Sequence, residues 1–255
     1  MIDTHTHIYL SDLRPEISGI MQRALDRGVN RFYLPNIDVD SMKDVFSLCD
    51  AYPKHCFPMV GLHPCSVKED FQSQLSILKE SLSDNRVIAI GEIGIDLYWD
   101  KTFLNEQIEA FKIQIEWAKE KKLPIVIHCR NAYHEIYSVL KEAQDGSIKG
   151  IFHCFSGSKE EAHKIIDLGL HLGIGGVLTY KNAGLASALE NIDLKHIVLE
   201  TDSPYLTPVP HRGKPNESSY IYYVAEKLAD VKGLSIESID EITTKNAMHI
   251  FHAIE

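Results

Sequence analysis

The chain has 255 residues, 44% hydrophobic and 24% charged, with a formal net charge of −10 when histidine is neutral. That is enough apolar material for a large buried core, and the acidic balance excludes a broadly basic nucleic-acid coat. It leaves open a local basic or metal-bearing site that reverses the sign where a polyanion would bind.

Short apolar runs alternate with longer amphipathic segments. Residues 1–4 form the first expected strand and lead into His5-Thr6-His7. Residues 31–35 and 57–61 are the second and third, the third running into Leu62-His63-Pro64. Phe71, Leu75, Leu78 and Leu82 then recur at helical period. Residues 87–90 form the fourth strand, which ends in Gly91-Glu92-Ile93-Gly94. Leu104, Ile108, Phe111, Ile115 and Ala118 make a second helical stripe. Residues 124–127 are apolar on consecutive positions, as in a strand buried on both faces, and end in His128, with Arg130 two further on. Residues 150–152 end in His153, residues 171–175 form the seventh strand, and residues 197–199 end in Glu200-Thr201-Asp202. The Pro-rich stretch 207–216 is expected to be a loop over the mouth of the fold, not an interdomain linker.

Strands alternating with helices specify a parallel sheet. Eight such units in this length fit a TIM-type (β/α)₈ barrel, read as one domain over residues 1–255. No Gly-rich phosphate loop follows the first strand, which speaks against a nucleotide-binding doubly wound sheet.

In a barrel of this kind, polar residues at C-terminal strand ends converge on one mouth. Side chains alternate along a strand, so His5 and His7 project the same way and form a chelating pair. With Glu92, His128, His153 and Asp202 they make a set of metal ligands suited to two divalent ions. Glu92 is the expected bridge, because a carboxylate can give one oxygen to each ion and an imidazole cannot. His5, His7 and Asp202 would complete one ion, and His128 and His153 would hold the other. Two such ions can activate water and neutralise a phosphorane-like transition state. Asp202 and Glu92 are therefore the expected catalytic residues.

These segments together resemble the TatD family of metal-dependent deoxyribonucleases. The resemblance is carried by MIDTHTH, GLHP at 61–64, GEIGID at 91–96, LPIVIHCRNA at 123–132, HCFSGS at 153–158, ETDSPYLTPVPHRGKPNE at 200–217 and NAMHIF at 246–251. It spans essentially the whole chain with the motifs in order. It implies a barrel of the amidohydrolase-like, metal-dependent hydrolase class and phosphodiester hydrolysis with two divalent metals. It also points to exonuclease action. Cys65, after GLHP, departs from many members and bears on substrate preference.

Other residues rank behind these. His63, Arg130 and Arg212 are expected substrate contacts, with Lys214 beside Arg212 in a local basic patch. Tyr98, Trp99 and Tyr205 lie just beyond strand ends and are candidates for stacking on terminal bases. Glu200 shares the Asp202 face and reads as an interior carboxylate supporting a ligand. Cys129 and Cys154 each follow a ligand histidine by one, so alternation turns them outward under the helix layer. His134, His163, His171, His196, His249 and His252 fit no strand end and read as solvated or packed.

The five cysteines form no CxxC pair and are odd in number, so a reducing compartment is expected. No basic and apolar leader precedes position 5, and no apolar run is long enough to span a membrane. The expectation is a soluble cytoplasmic enzyme with Mg²⁺, Mn²⁺ or Zn²⁺ as cofactors. It acts on nucleic acid, at DNA ends, with no membrane association and no obligatory protein partner. A closed-bottomed mouth admits a strand terminus better than a duplex, so single-stranded DNA trimmed from its 3′ end is the expected substrate. The alternatives are a two-metal hydrolase of another ester such as aminoacyl-tRNA, and a non-catalytic metal- or nucleic-acid-binding protein.

Overall fold

The computed structural model describes residues 1–251. Eight parallel strands follow one another around the sheet in chain order. They are β1 (Ile2–Asp3), β2 (Arg31–Pro35), β3 (Cys56–Val60), β4 (Ala89–Asp96), β5 (Ile125–Arg130), β6 (Gly150–Phe152), β7 (Leu170–Ile174) and β8 (Ile197–Leu199). The helices are α1 (Ile17–Asp26), α2 (Val39–Ala51), α3 (Phe71–Ser81), α4 (Leu104–Lys121), α5 (Tyr133–Ala143), α6 (Lys159–Asp167), α7 (Leu185–Leu189), α8 (Ile221–Lys232) and α9 (Ile236–Phe251). This is the TIM-type barrel the alternation specifies.

Alternation sorts the strand residues into two layers. Ile125 and Ile127, Phe152, and Ile197 and Leu199 face the helices in the larger apolar cluster. Val126, Ile151 and Val198 face the lumen with Ile2, Tyr33 and Met59. The lower end of the lumen is closed by α9, whose Ala247, Ile250 and Phe251 join that inner cluster. The Phe251 ring stands 4.7 Å from that of Tyr33. Asn246 pins the helix by donating to the carbonyls of Leu194 (2.7 Å) and Ile197 (2.8 Å). The next inward position above Val126, Ile151 and Val198 is His128, His153 and Glu200 respectively. The site therefore rests directly on an apolar floor.

Besides β5, which runs on to Arg130 where the sequence reading ends it at 127, two boundaries that differ from that reading shape the site. Strand β1 stops at Asp3, so His5 and His7 lie on the connection beyond it. That connection closes the barrel against the segment after β8. Thr4 N donates to Leu199 O (3.1 Å), Asp202 N to His5 O (2.9 Å) and His7 N to Ser203 O (2.8 Å). Asp3 accepts from the Thr201 backbone N–H (2.9 Å) and hydroxyl (2.6 Å). The second difference is that β4 continues through Asp96, with a register shift against β5 between Ile90 and Ile93. Gly94 allows this continuation. At φ +143° it has a conformation that side chains rarely adopt, and an added Cβ would lie 2.1 Å from His128 O.

Candidate metal centre

Glu92 is the centre of the constellation. It is buried, and its two carboxylate oxygens face different groups of imidazoles. Oε2 lies 3.1 Å from His5 Nε2 and 3.5 Å from His7 Nε2. Oε1 lies 2.7 Å from His128 Nδ1, 3.4 Å from His63 Nε2 and 3.7 Å from His153 Nε2. Asp202 Oδ1 stands 3.8 Å from His5 Nε2, 3.6 Å from His7 Nε2 and 3.9 Å from His153 Nε2. The six residues expected as ligands from sequence are thus brought together.

The partition differs from the expected one. Compact donor groups form from His5, His7 and Glu92, from His5, His153 and Asp202, and from His63, Glu92 and His128. His153 stacks on His5 at 3.5 Å between ring centroids, so it belongs beside the first pair as much as beside His128. His63, expected as a substrate contact, stands among the donors at 3.3 Å from His128 Nδ1. Its position is set locally: it caps the short 3-10 turn Pro64–Ser66, its Nδ1 accepting from Cys65 N (3.1 Å).

Two histidines are aimed by an acceptor on their far nitrogen, and a third faces a carboxylate there. Tyr9 donates its hydroxyl to Pro35 O (2.7 Å), so its oxygen accepts from His7 Nδ1–H (2.9 Å) and leaves the Nε2 lone pair facing the site. Asp96 Oδ2 accepts from His128 Nε2–H (2.9 Å), freeing Nδ1. Glu200 Oε1 lies 2.9 Å from His153 Nδ1, freeing Nε2, and accepts from Cys154 N (2.6 Å). Glu200 fits only because β7 carries glycine opposite it, where a Cβ at Gly173 would lie 2.3 Å from Glu200 Oε2. Glu200 therefore supports a ligand, as its parity with Asp202 suggested. Asp96 and Tyr9 were not singled out from sequence. Asp96 had a signal, since Glu92, Gly94 and Asp96 share a face once the strand is allowed to run on. Tyr9 had none, because it lies in a turn region beyond the strand.

The donor set fits divalent metal. It consists of imidazole nitrogens and carboxylate oxygens, buried or half-buried, and within each group the ligand atoms lie within 4.8 Å of one another. Moreover, the Nε2 atoms of His5 and His7 face each other at 3.2 Å, and both face Glu92 Oε2. Two opposed lone pairs at that distance call for a proton or a cation between them. Burial, with His153 adding to it, holds His5 well below its ordinary pKa, and burial likewise lowers His63. Both are neutral donors. Burial alone would also depress His128 and His153, but carboxylates more than reverse it. Asp96 and Glu92 raise His128 to about 9, and Glu200 and Glu92 raise His153 to about 10. Burial pushes Glu92 up, and the surrounding His63, His5 and His153 carry it well below the carboxylate range.

A pH dependence follows. Without metal, His128 and His153 hold protons at neutral pH, and a metal must displace them. Binding at pH 7 is expected to release about two protons per chain, read by calorimetry in buffers of different ionisation enthalpy. The raised pKa values have the opposite effect on the metal-free fold. Their ion pairs contribute fully below about pH 6.5, and the contribution is lost as pH rises through about 9 to 10. The gain in Tm on adding Mn²⁺ should therefore grow as pH rises from about 6 to about 8.5. A gain independent of pH would rule out displacement of these protons.

Beyond the donors, Arg130 shares the His128 face of β5, and its guanidinium lies 3.7 Å over the Tyr98 ring and 5.2 Å from that of Trp99. Tyr98 and Trp99 are 53% and 70% exposed. Tyr205 is exposed, 6.2 Å from the His7 ring. Arg212 lies over Tyr180 at 4.0 Å, apart from the donors, and Lys214 is exposed. Cys129 packs against the outer cluster as expected. Cys154 does not. Its φ of +47° breaks the alternation, and its thiol stands with His153 and Glu200 instead of under the helices. His134, His163 and His249 are exposed and His171 and His196 half-buried, none in a donor group among the described residues. His252 lies outside the described residues.

Comparison with known proteins agrees with this geometry. The model of the family described as TatD related DNase matches residues 2–252. YabD of Bacillus subtilis, named an uncharacterized metal-dependent hydrolase, is 36% identical, covering 98% of each chain. YcfH of Escherichia coli, given the same description, is 30% identical over 99% of this chain and 96% of its own. The crystal structure of YJJV, a TatD homologue of Escherichia coli, superposes with a TM-score of 0.93 at 26% identity, covering 99% of this chain and 98% of that one. A barrel of this topology, a buried carboxylate between clustered imidazoles and a family match over nearly the whole length converge. The chain belongs to the TatD-related DNase family of metal-dependent hydrolases.

Proposed function

We propose that the protein hydrolyses phosphodiester bonds in nucleic acid, trimming single-stranded DNA from its 3′ end with two divalent ions. The observation that carries this is Glu92, which turns one oxygen to His5 and His7 and the other to His128, His63 and His153. His5, His7, His153 and Asp202 would hold one ion, His128 and His63 the other, with Glu92 shared. When bound, the ions supply Lewis acidity for water activation and charge neutralisation at the phosphoryl oxygens.

The chain's own residues do the rest. Asp202 is half-buried and its carboxyl is raised to about 6, chiefly by desolvation, so it can accept a proton from the attacking water near neutral pH. Tyr9, Asp96 and Glu200 hold His7, His128 and His153 in the tautomers that leave a lone pair toward the site. Arg130 offers a planar fork to a phosphate at the rim, already oriented by Tyr98. The exposed rings of Tyr98 and Trp99 supply faces on which an unpaired base can stack. The packed lumen beneath Glu92 gives the site a floor, which favours entry of a strand terminus over passage of a duplex.

The test is a time course with added Mg²⁺ or Mn²⁺ on end-labelled single strands, duplexes and covalently circular single strands. Linear single strands should shorten from the 3′ end, faster than duplex. Circles cut as fast as linear strands would reject end entry and leave an endonuclease. No cleavage of any of them would reject the nuclease reading.

A further inference from the structure

A hollow of about 530 Å³ opens beside the mouth, between the loop after β7 and the loop after β8. Its volume is in the range of small-molecule pockets, about 300–1,000 Å³. Tyr180, Lys181, Asn182, Val209 and Arg212 line it, and no carboxylate does. Two other hollows of similar size are unlike it. One is lined by lysines already paired with Glu116, Glu142 and Asp145, and the other by Asp38, Asp40 and Asp70. Among the described residues, neither Lys181 nor Arg212 has a carboxylate within ion-pair distance. In a chain of net charge −10, two unpaired cations in one hollow mark a place for an anion.

The walls are held in place. The Arg212 guanidinium carbon lies 4.0 Å over the Tyr180 ring, and Tyr180 donates its hydroxyl to Thr207 O (3.0 Å). Val209 N donates to Thr179 Oγ1 (2.9 Å). The two loops meet so closely at Gly176 that an added Cβ would lie 2.0 Å from Leu206 O. The hollow is also joined to the metal centre through one wall, since the loop after β8 leaves from Asp202.

We propose that this hollow is a second-phosphate subsite, holding the phosphate next to the scissile one on the same strand, with Arg212 and Lys181 as its cationic contacts. This rests on the nucleic-acid reading of the metal centre. Arg130, at the end of β5, and Arg212, in the loop after β8, are then two phosphate contacts on the same strand. A stacked guanidinium is pre-oriented for a phosphate, so little side-chain freedom is lost on binding.

The metal-loaded enzyme is assayed on the dinucleotide dTpdT, on the same dinucleotide carrying a 5′- or a 3′-phosphate, and on a thymidine hexanucleotide. One added phosphate, at one end only, should lower KM by about 10- to 100-fold, the scale of a hydrogen-bonded charge pair. In the Lys181→Ala/Arg212→Ala variant that advantage should disappear, and KM for the hexanucleotide should rise by about the same factor, with kcat falling far less. Where this variant fails to fold, Arg212→Gln with wild-type Tm and metal content is read for the same ratio. A variant that keeps the full phosphate advantage overturns the subsite and leaves the nuclease reading standing. Wild-type enzyme that turns over bis(p-nitrophenyl) phosphate but none of the nucleotides overturns both. An equal advantage from a phosphate at either end overturns the subsite and points to general attraction by the mouth.

Discussion

Glu92→Gln is expected to lose bound metal and activity together. Glu92 is the group that touches both sets of imidazoles, and an amide cannot replace it. One terminal atom of the glutamine is an NH₂ group, which cannot ligate and would face either His5 and His7 or His128 and His63. The charge is lost as well, where five imidazoles lie around the carboxylate. Activity should fall on the order of 10³-fold or more, about 4 kcal/mol of transition-state stabilisation. Elemental analysis of dialysed protein checks the metal, and thermal melting shows that the fold survives. Retention of two ions per chain in the variant sinks the shared-carboxylate assignment.

Asp202→Asn is expected to separate chemistry from binding. Asp202 lies at 3.6–3.9 Å from three imidazole nitrogens on one side of the site, and its side chain keeps 14% exposure, so it faces the space where water enters. Removing a positioned base costs about 10²-fold or more in kcat. Metal content should fall less than in Glu92→Gln, because the other donors remain. Asparagine is a clean probe at this position. The backbone there has φ +56°, and asparagine is among the few residues that tolerate the left-handed region. Unchanged kcat on a chromogenic phosphodiester refutes the proton-accepting role.

The interest of the centre lies in how much positioning is done by residues that touch no candidate ion. Tyr9, Asp96 and Glu200 each fix one imidazole, and each reaches it from a different part of the chain. Asp3 and Thr201 then tie the loop that carries His5 and His7 to the loop that carries Asp202. The seam of the barrel and the metal centre are thus one hydrogen-bonded unit.

The sequence by itself determined the barrel and pointed to six of the candidate donors. Alternating strand and helix periods allow little but a parallel closed sheet, and a residue at a C-terminal strand end is carried to the mouth whatever its loop does. His5, His7, Glu92, His128, His153 and Asp202 followed from that rule alone, and Glu200 from parity. Only the tertiary structure decided where parity stops. The strand at His5 ends early because the first connection is spent on closing the barrel against residues 199–203, and β4 runs on to Asp96 because Gly94 lets β5 approach. Cys154 turned inward because a left-handed residue resets the side-chain alternation, which no periodicity reports. His63 joined the donors, Tyr9 came to His7, and Lys181 and Arg212 came to share a hollow, because loops distant in sequence pack together. Periodicity constrains regular segments and leaves loop geometry free. The fold and the ligand-bearing strand ends were therefore legible in the sequence. The partners that aim those ligands, and the surface that would receive a strand, depended on packing between distant segments.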